Sequence, residues 1–252
     1  MLFDALKRFH DAIFVVTAPG FDDRQRHMRN EFGEKNLEFV YGINKNEITK
    51  EDLIVDGLYD EKSAIKLDRS GKPMTLGHIC CSIGHANVYR NIVAKKIERS
   101  LIFEDDVVSL PADERLVQKL VDGIPKDAGL IYWGWKADLE PPHSGLKKWL
   151  YKRQYDLGLL NYSHTMIDNL YPADFNEYFY RAGKTFLAHS YTVTLATAKT
   201  LLEWNTPVVL NADNALMYAV LNGDVTAYLS KQQLFDQRSQ VVGDQLLSRT
   251  QS

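Results

Sequence analysis

Short apolar runs bounded by polar turns recur along this chain, and most are too short to be helices on their own. Ala12–Thr17 and residues 101–103 and 129–134 are rich in strand formers and read as buried strands, 101–103 as a parallel one, while residues 37–41 form a short strand candidate and 186–193 alternate into another strand. Helical spacing fills the gaps. Asp22 or Asp23 stands where it can cap a helix to about Phe32, and residues 80–97 carry Cys81, Val88 and Ile92 on one face. Pro111, Ala112 and Asp113 open a helix with Leu116, Val117, Leu120 and Val121 inward, and residues 1–11 hold a short one with Leu6 and Phe9 in phase. Thr194 caps a helix to Trp204 that Pro207 stops, and Asn211 or Asp213 caps a last helix before Gly223. This alternation predicts a single α/β domain over 1–252, with a mainly parallel sheet and helices on both faces.

Two stretches break the rhythm. Residues 44–73 are charged and irregular and read as an excursion with one short helix. Residues 136–184, with Pro141-Pro142 and many tyrosines, read as a variable, acceptor-side insertion of loops projecting from the sheet. Tyr171, Phe175, Tyr178 and Phe179 read as packing residues there, although exposed aromatic faces would also suit sugar rings. From Tyr228 the chain turns polar, and 244–252 read as a disordered tail.

Composition narrows the class. With 45% hydrophobic and 25% charged residues the chain is an ordinary globular protein, and a formal charge of −3 gives no reason to expect nucleic acid as partner. Adjacent Cys80 and Cys81 argue against a structural disulfide and suit a reducing compartment. The first apolar stretch is too short for a signal or a membrane span, so a cytoplasmic location is expected. Lys147, Lys148, Lys152 and Arg153 among aromatics suit at most peripheral contact with an anionic membrane, and a solvated loop is the plainer account.

The candidate chemistry lies at residues 104–106. Glu104, Asp105 and Asp106 follow an apolar strand, where an open α/β sheet binds its ligands. Three adjacent carboxylates repel one another and resist burial while charged; a divalent cation, Mn²⁺ or Mg²⁺, with a diphosphate would relieve both problems. In extended backbone Glu104 and Asp106 would face one way and Asp105 the other. A solvated acidic turn is the bland alternative. The turn after the first strand leads to Arg24, Arg26, His27 and Arg29, which form either a phosphate corner or a solvated basic face. Gly20 alone in that turn supports neither a dinucleotide fingerprint nor a P-loop. His85 shares the apolar face of its helix, as a hydrogen-bonded core residue or a ligand.

The run Gly77-His78-Ile79-Cys80-Cys81-Ser82-Ile83-Gly84-His85, followed one helix later by Glu104-Asp105-Asp106-Val107, resembles glycosyltransferase family 25, which includes bacterial lipooligosaccharide and collagen galactosyltransferases. The family run is usually G-E-I-G-C-x-x-S-H, then E-D-D-V. Gly77, Ile79, Cys81, His85 and the acidic block match, whereas His78, Cys80 and Gly84 depart from it. Residues 13–24 are similar to the family's opening strand and its arginine, matched by Arg24. Residues 188–193 are similar to the segment before its late aspartate, matched by Asp213. The likeness spans most of 12–220, with 136–184 unmatched.

That resemblance implies a GT-A fold and inverting transfer of a hexose, most often galactose from UDP-galactose. The acceptor would be a hydroxyl of a glycan, such as a lipopolysaccharide precursor or another lipid-linked glycan. Asp106 and Glu104 would hold the metal. Thr17, Arg24, His85, Glu104, Asp105 and His189 would bind the nucleotide sugar, and Asp213 would be the base, with Glu104 and Asp105 as rivals. Three other classes compete. A nucleotidyltransferase lacks its glycine-rich loop here, and a receiver domain lacks its acidic pair after the first strand. A catalytically silent carbohydrate- or nucleotide-binding protein remains, because three positions of the run depart.

Overall fold

The structure, a computed structural model, describes residues 2–68, 71–139, 141 and 144–238. In chain order the elements are α1 (Leu2–Phe9), β1 (Ala12–Thr17), α2 (Asp22–Phe32), a 3-10 turn (Glu34–Asn36), β2 (Glu38–Tyr41), α3 (Lys50–Val55) and α4 (Glu61–Leu67). Then come α5 (Leu76–Lys95), β3 (Arg99–Glu104), β4 (Val107–Ser109), α6 (Glu114–Asp122), β5 (Leu130–Lys136), α7 (Ser144–Asp156) and α8 (His164–Asp168). The chain continues with β6 (Ala173–Asp174), β7 (Phe179–Arg181), β8 (Phe186–Thr194), α9 (Leu195–Trp204), α10 (Ala212–Leu221), β9 (Ala227–Ser230) and β10 (Phe235–Gln237).

An 8-stranded sheet runs in the order β2-β1-β3-β8-β5-β9-β7-β6, and β10 pairs with β4 in a separate ribbon. β1, β2, β3, β5, β6 and β9 run one way; β7 and β8 run the other. The expected mainly parallel sheet is therefore present. The reading of 101–103 as a parallel strand holds for one edge only: β3 is parallel to β1 and antiparallel to β8.

Strand alternation divides the interior in two. Phe14, Val16, Ile102, Tyr132 and Tyr191 face one core with α5, α9 and α10. Ile13, Val15, Leu101, Phe103 and Trp133 face the other with α1, α2 and α6. Helices thus cover both faces, and alternate residues of the central strands β1, β3, β5, β8 and β9 are buried on both sides.

Several local expectations need correction. Neither Asp22 nor Asp23 caps α2; the cap position is Phe21, without a side-chain bond, and both acids lie in the first turn, where they favour the helix dipole. Asn211 caps α10 by accepting from the Asn214 N–H, so Asp213 is not the cap. Helix α5 begins at Leu76, capped by Thr75, four residues earlier than expected. Residues 44–73 hold two helices rather than one, each with a side-chain cap from Thr49 or Asp60.

The stretch from Tyr228 is not a polar tail at first. β9 is fully buried, and β10 returns Phe235 to the core beside Phe103. Residues 244–252 lie outside the described residues.

The insertion is not all loop. Its basic residues 147–153 lie on helix α7, all of whose residues keep solvent contact, with Trp149 56% exposed. Phe179 is a packing residue, as expected; Phe175 is 51% exposed with its ring edge-on to Tyr228. Among the described residues, no helix is long and apolar enough to cross a membrane.

Candidate active site

β1 and β3 are parallel neighbours, with Val16 opposite Glu104, so their carboxyl ends open onto the same edge. β1 stops at Thr17. The chain turns through Gly20, at φ +81°, and enters α2, whose first turn brings Arg24 back over the strand ends. β3 stops at Glu104, and Asp105 and Asp106 form a tight turn before β4.

That turn overrides the alternation expected of extended backbone. Asp105 and Asp106 both meet Arg24: Nη1 donates to Asp105 Oδ1 at 2.5 Å, and Nη2 lies 3.5 Å from Asp106 Oδ2. Thr17 Oγ1 donates to the other oxygen of Asp105 at 2.7 Å. Glu104 is held separately. Its Oε2 accepts from Gln237 Nε2 at 3.0 Å, and its Oε1 lies 3.6 Å from His85 Nε2. Behind His85, Nδ1 meets the Tyr191 hydroxyl at 2.6 Å, which is 2.7 Å from that of Tyr89. The bland reading of a solvated acidic turn fails, because Asp105 and Asp106 are both buried.

Burial and mutual repulsion set the charge states. Asp106 is pushed up to about 7, first by burial and then by Glu104, with Arg24 opposing. Burial also raises Asp105, against Arg24 and the Thr17 bond. Burial would raise Glu104 too, but the neighbouring imidazoles of His85 and then His189, with the Gln237 hydrogen bond, outweigh it and hold the carboxyl low. For Arg24, burial opposes the charge, and Asp105 and then Asp106 more than restore it.

A cleft opens over these groups, lined by Thr17, Phe21, Arg24, Lys45, Cys81 and Asp105 among others. Thr17, Arg24, Glu104 and Asp105 line it together, whereas Asp106 is not among its lining residues. His85 is buried and acts on Glu104 from behind. His189 is also buried, its Nε2 3.3 Å from the Phe235 carbonyl oxygen, and it is not part of the cleft wall.

Asp213 stands apart from the acidic turn. Its Oδ1 accepts from the Ala188 N–H at 2.6 Å and its Oδ2 from the Leu187 N–H at 3.1 Å, while burial and then Glu104 raise its pKa. It therefore anchors the start of β8 as well as carrying a carboxylate.

Two donor sets could hold a cation. Asp106 Oδ1 is buried without a hydrogen-bond partner among the described residues, a hard oxygen suited to Mn²⁺ or Mg²⁺. Cys81, His85 and Glu104 each place one ligand atom within 4.8 Å of the others, a softer set. Burial and then Glu104 push the Cys81 thiol well up, so it is a neutral group as it stands.

Sequence reasoning missed Gln237, Phe21 and Lys45. Gln237 carried no local signal, since its role comes from the pairing of β10 with β4. Phe21 and Lys45 lie in turns whose only readable feature was proximity to the ends of the first two strands.

Residues 10–216 match the profile of Glycosyltransferase family 25 (LPS biosynthesis protein). Procollagen galactosyltransferase 1-A of Xenopus laevis is 27% identical over 138 residues, 52% of this chain and 22% of that protein. Procollagen galactosyltransferase 2 of Homo sapiens is 28% identical over 134 residues, 50% of this chain and 21% of that one. A glycosyltransferase 25 family member of Aedes aegypti is 27% identical over 134 residues, 49% and 21%. The chain thus spans about a fifth of the length of these relatives. Among solved structures, a mannose-1-phosphate geranyltransferase from Thermus thermophilus aligns at TM-score 0.35 and 9% identity over 89% of this chain and 75% of that one, too slight a likeness to carry the fold.

Proposed function

Because the chain belongs to glycosyltransferase family 25, we propose that it transfers a hexose, galactose favoured, from a UDP-sugar to a hydroxyl of a glycan acceptor, with inversion. The galactose preference rests on the names of the relatives, procollagen galactosyltransferases. A lipopolysaccharide precursor or other lipid-linked glycan in the cytoplasm suits the family's description.

The observation that carries the reading is the buried acidic turn, with one oxygen unsatisfied among the described residues, set beside Arg24 at the carboxyl ends of two parallel strands. Asp106 and Glu104 would hold Mn²⁺ or Mg²⁺, which when bound stabilises the charge on a departing diphosphate. Thr17 and Arg24 orient Asp105 and close the cleft wall. Arg24 and Lys45 supply positive charge toward a diphosphate, and Phe21 offers an apolar wall for the nucleoside. Tyr89, Tyr191 and His85 form a buried chain of hydrogen bonds that holds the His85 ring beside Glu104, whose Oε1 lies 3.6 Å from His85 Nε2. Asp213 is the base assigned to the acceptor hydroxyl, its raised pKa suiting proton uptake.

The departures from the family run fit the packing. A Cβ on Gly84 would lie 2.8 Å from Val16 Cγ1, so glycine lets α5 sit close against β1. Cys80 is buried in the small core under α3 and α4, and His78 lies outside the cleft lining. One observation favours a silent nucleotide-binding protein instead: both oxygens of Asp213 are engaged by backbone N–H groups.

Calorimetry with UDP, with and without Mn²⁺, tests the reading. Uptake that depends on Mn²⁺ and is lost in Asp106→Asn is expected. Folded protein that takes up no nucleoside diphosphate under either condition sinks it, and uptake without turnover of any UDP-sugar leaves the silent binder.

A further inference from the structure

A second space lies beside the cleft, about 380 Å³ against about 90 Å³. The two share the first turn of α5 as a wall: Gly77 lines the cleft, and His78 lines the larger cavity. The start of α10 also lines the larger cavity, through Asn211 and Asn214. In the same first turn of α10, Asp213 lines neither space and accepts from the backbone of Leu187 and Ala188.

The backbone that presents those N–H groups is one that leucine rarely adopts. Leu187 has φ +69°, in the left-handed region, where a Cβ is strained. Such strain is retained where the surroundings over-determine it, typically at sites that bind or react. Here its consequence is the placement of Phe186. That ring lines the cavity and is 37% exposed, with Lys184 Nζ 5.3 Å from its centroid and 6.0 Å from that of Tyr162. Tyr218, edge-on to Tyr162 at 6.2 Å, completes an aromatic side, and its hydroxyl is tied to the Leu67 carbonyl. The lining thus combines the aromatic rings of Phe186, Tyr162 and Tyr218 with the amides of Asn211 and Asn214 and the imidazole of His78.

We infer that this cavity is a glycan-binding subsite that seats the terminal sugar of the acceptor, with the C–H face of the pyranose on Phe186 and its hydroxyls on Asn211, Asn214 and His78. A sugar ring has an apolar face and a polar rim, and this lining offers a surface for each. The role as acceptor subsite rests on the cleft being the donor site.

The test uses an array of printed oligosaccharides probed with the full chain, wild type, Phe186→Ala and Asn214→Ala, each checked for fold by circular dichroism. UDP uptake is measured on the same proteins. Wild type should retain a defined set of glycans, and both variants should weaken retention by about tenfold, the scale of one lost aromatic or amide contact. Retention unchanged in both variants overturns the inference, as does a wild-type protein that takes up UDP and retains no glycan. If UDP is not taken up but glycans are held in a Phe186-dependent way, the donor reading fails and the sugar site stands.

Discussion

Arg24 and Asp105 are 81 residues apart in sequence, and their side chains meet at 2.5 Å. The contact makes the acidic turn tolerable. Without it, two buried carboxyl groups would face Glu104, offset among the described residues chiefly by the Thr17 hydroxyl and a backbone hydrogen bond at Asp106.

Arg24→Met should therefore destabilise the fold by about 3 kcal/mol, the scale seen when one partner of a buried pair is removed. Adding Asp105→Asn should recover part of that loss, because the stranded charge is removed with it. Urea midpoints of the two single variants and the double variant measure the coupling; strict additivity would show that the pair contributes nothing.

The pH dependence of the unliganded protein follows from Asp106. Its folded-state value of about 7 lies above the roughly 3.9 of an unfolded aspartate. Between the two, the folded chain keeps a proton that the unfolded chain has released, so stability falls as pH rises from about 4 to 7 and levels above that. The slope approaches about 1.4 kcal/mol per pH unit at its steepest. Asp105 and Asp213, also raised, act with the same sign. Glu104, held low, has the opposite sign: its stabilisation is lost as pH falls through its depressed value in the acid range. Asp106→Asn should flatten the curve between pH 5 and 7, as read by melting temperature across buffers, and an unchanged slope would contradict the assignment.

Gly134 is required by space. A Cβ there would lie 2.1 Å from His189 Nε2 and 2.4 Å from the Phe235 carbonyl oxygen, and the second is backbone that cannot swing aside. Gly134→Ala should cost about 3 kcal/mol or prevent folding. Gly145→Ala, on α7 with nothing within 4 Å, should be neutral or stabilise by up to about 1 kcal/mol. Chemical denaturation of the two variants side by side gives the comparison, and equal effects would refute the steric account.

Asp213→Asn separates base from anchor. An amide keeps one acceptor oxygen but turns an N–H₂ toward a backbone N–H, so about 1–3 kcal/mol of stability should be lost. If Asp213 is also the base, transfer should fall by about 10²–10⁴-fold in protein that remains folded. A folded variant with undiminished transfer leaves it as an anchor only.

What local pattern could carry was legible in the sequence. β1 and α9 occur at the expected boundaries, because a six-residue apolar run and a Thr cap before an apolar helix are signals complete within a few residues. The two-core division also follows from alternation within strands such as Phe14, Val15 and Val16. The acidic run stood out because three adjacent carboxylates are costly anywhere in a fold, and the resemblance to the family attached a chemistry to it.

Tertiary structure decided how those carboxylates are divided. A turn at 105–106 sends two of them to Arg24, while Gln237 and His85 hold the third, and neither arrangement follows from strand periodicity. The same holds for Asp213, whose partners at 187 and 188 come from the strained entry to β8. The sequence by itself determined the main strands and helices of the core and that charge gathers at one strand end, whereas the second helix of 44–73, α7 and β10 were not legible in it. Which oxygen is satisfied and which is left bare was settled by contacts between residues dozens of positions apart, since a hydrogen bond depends on where two atoms meet and local patterning constrains only neighbours.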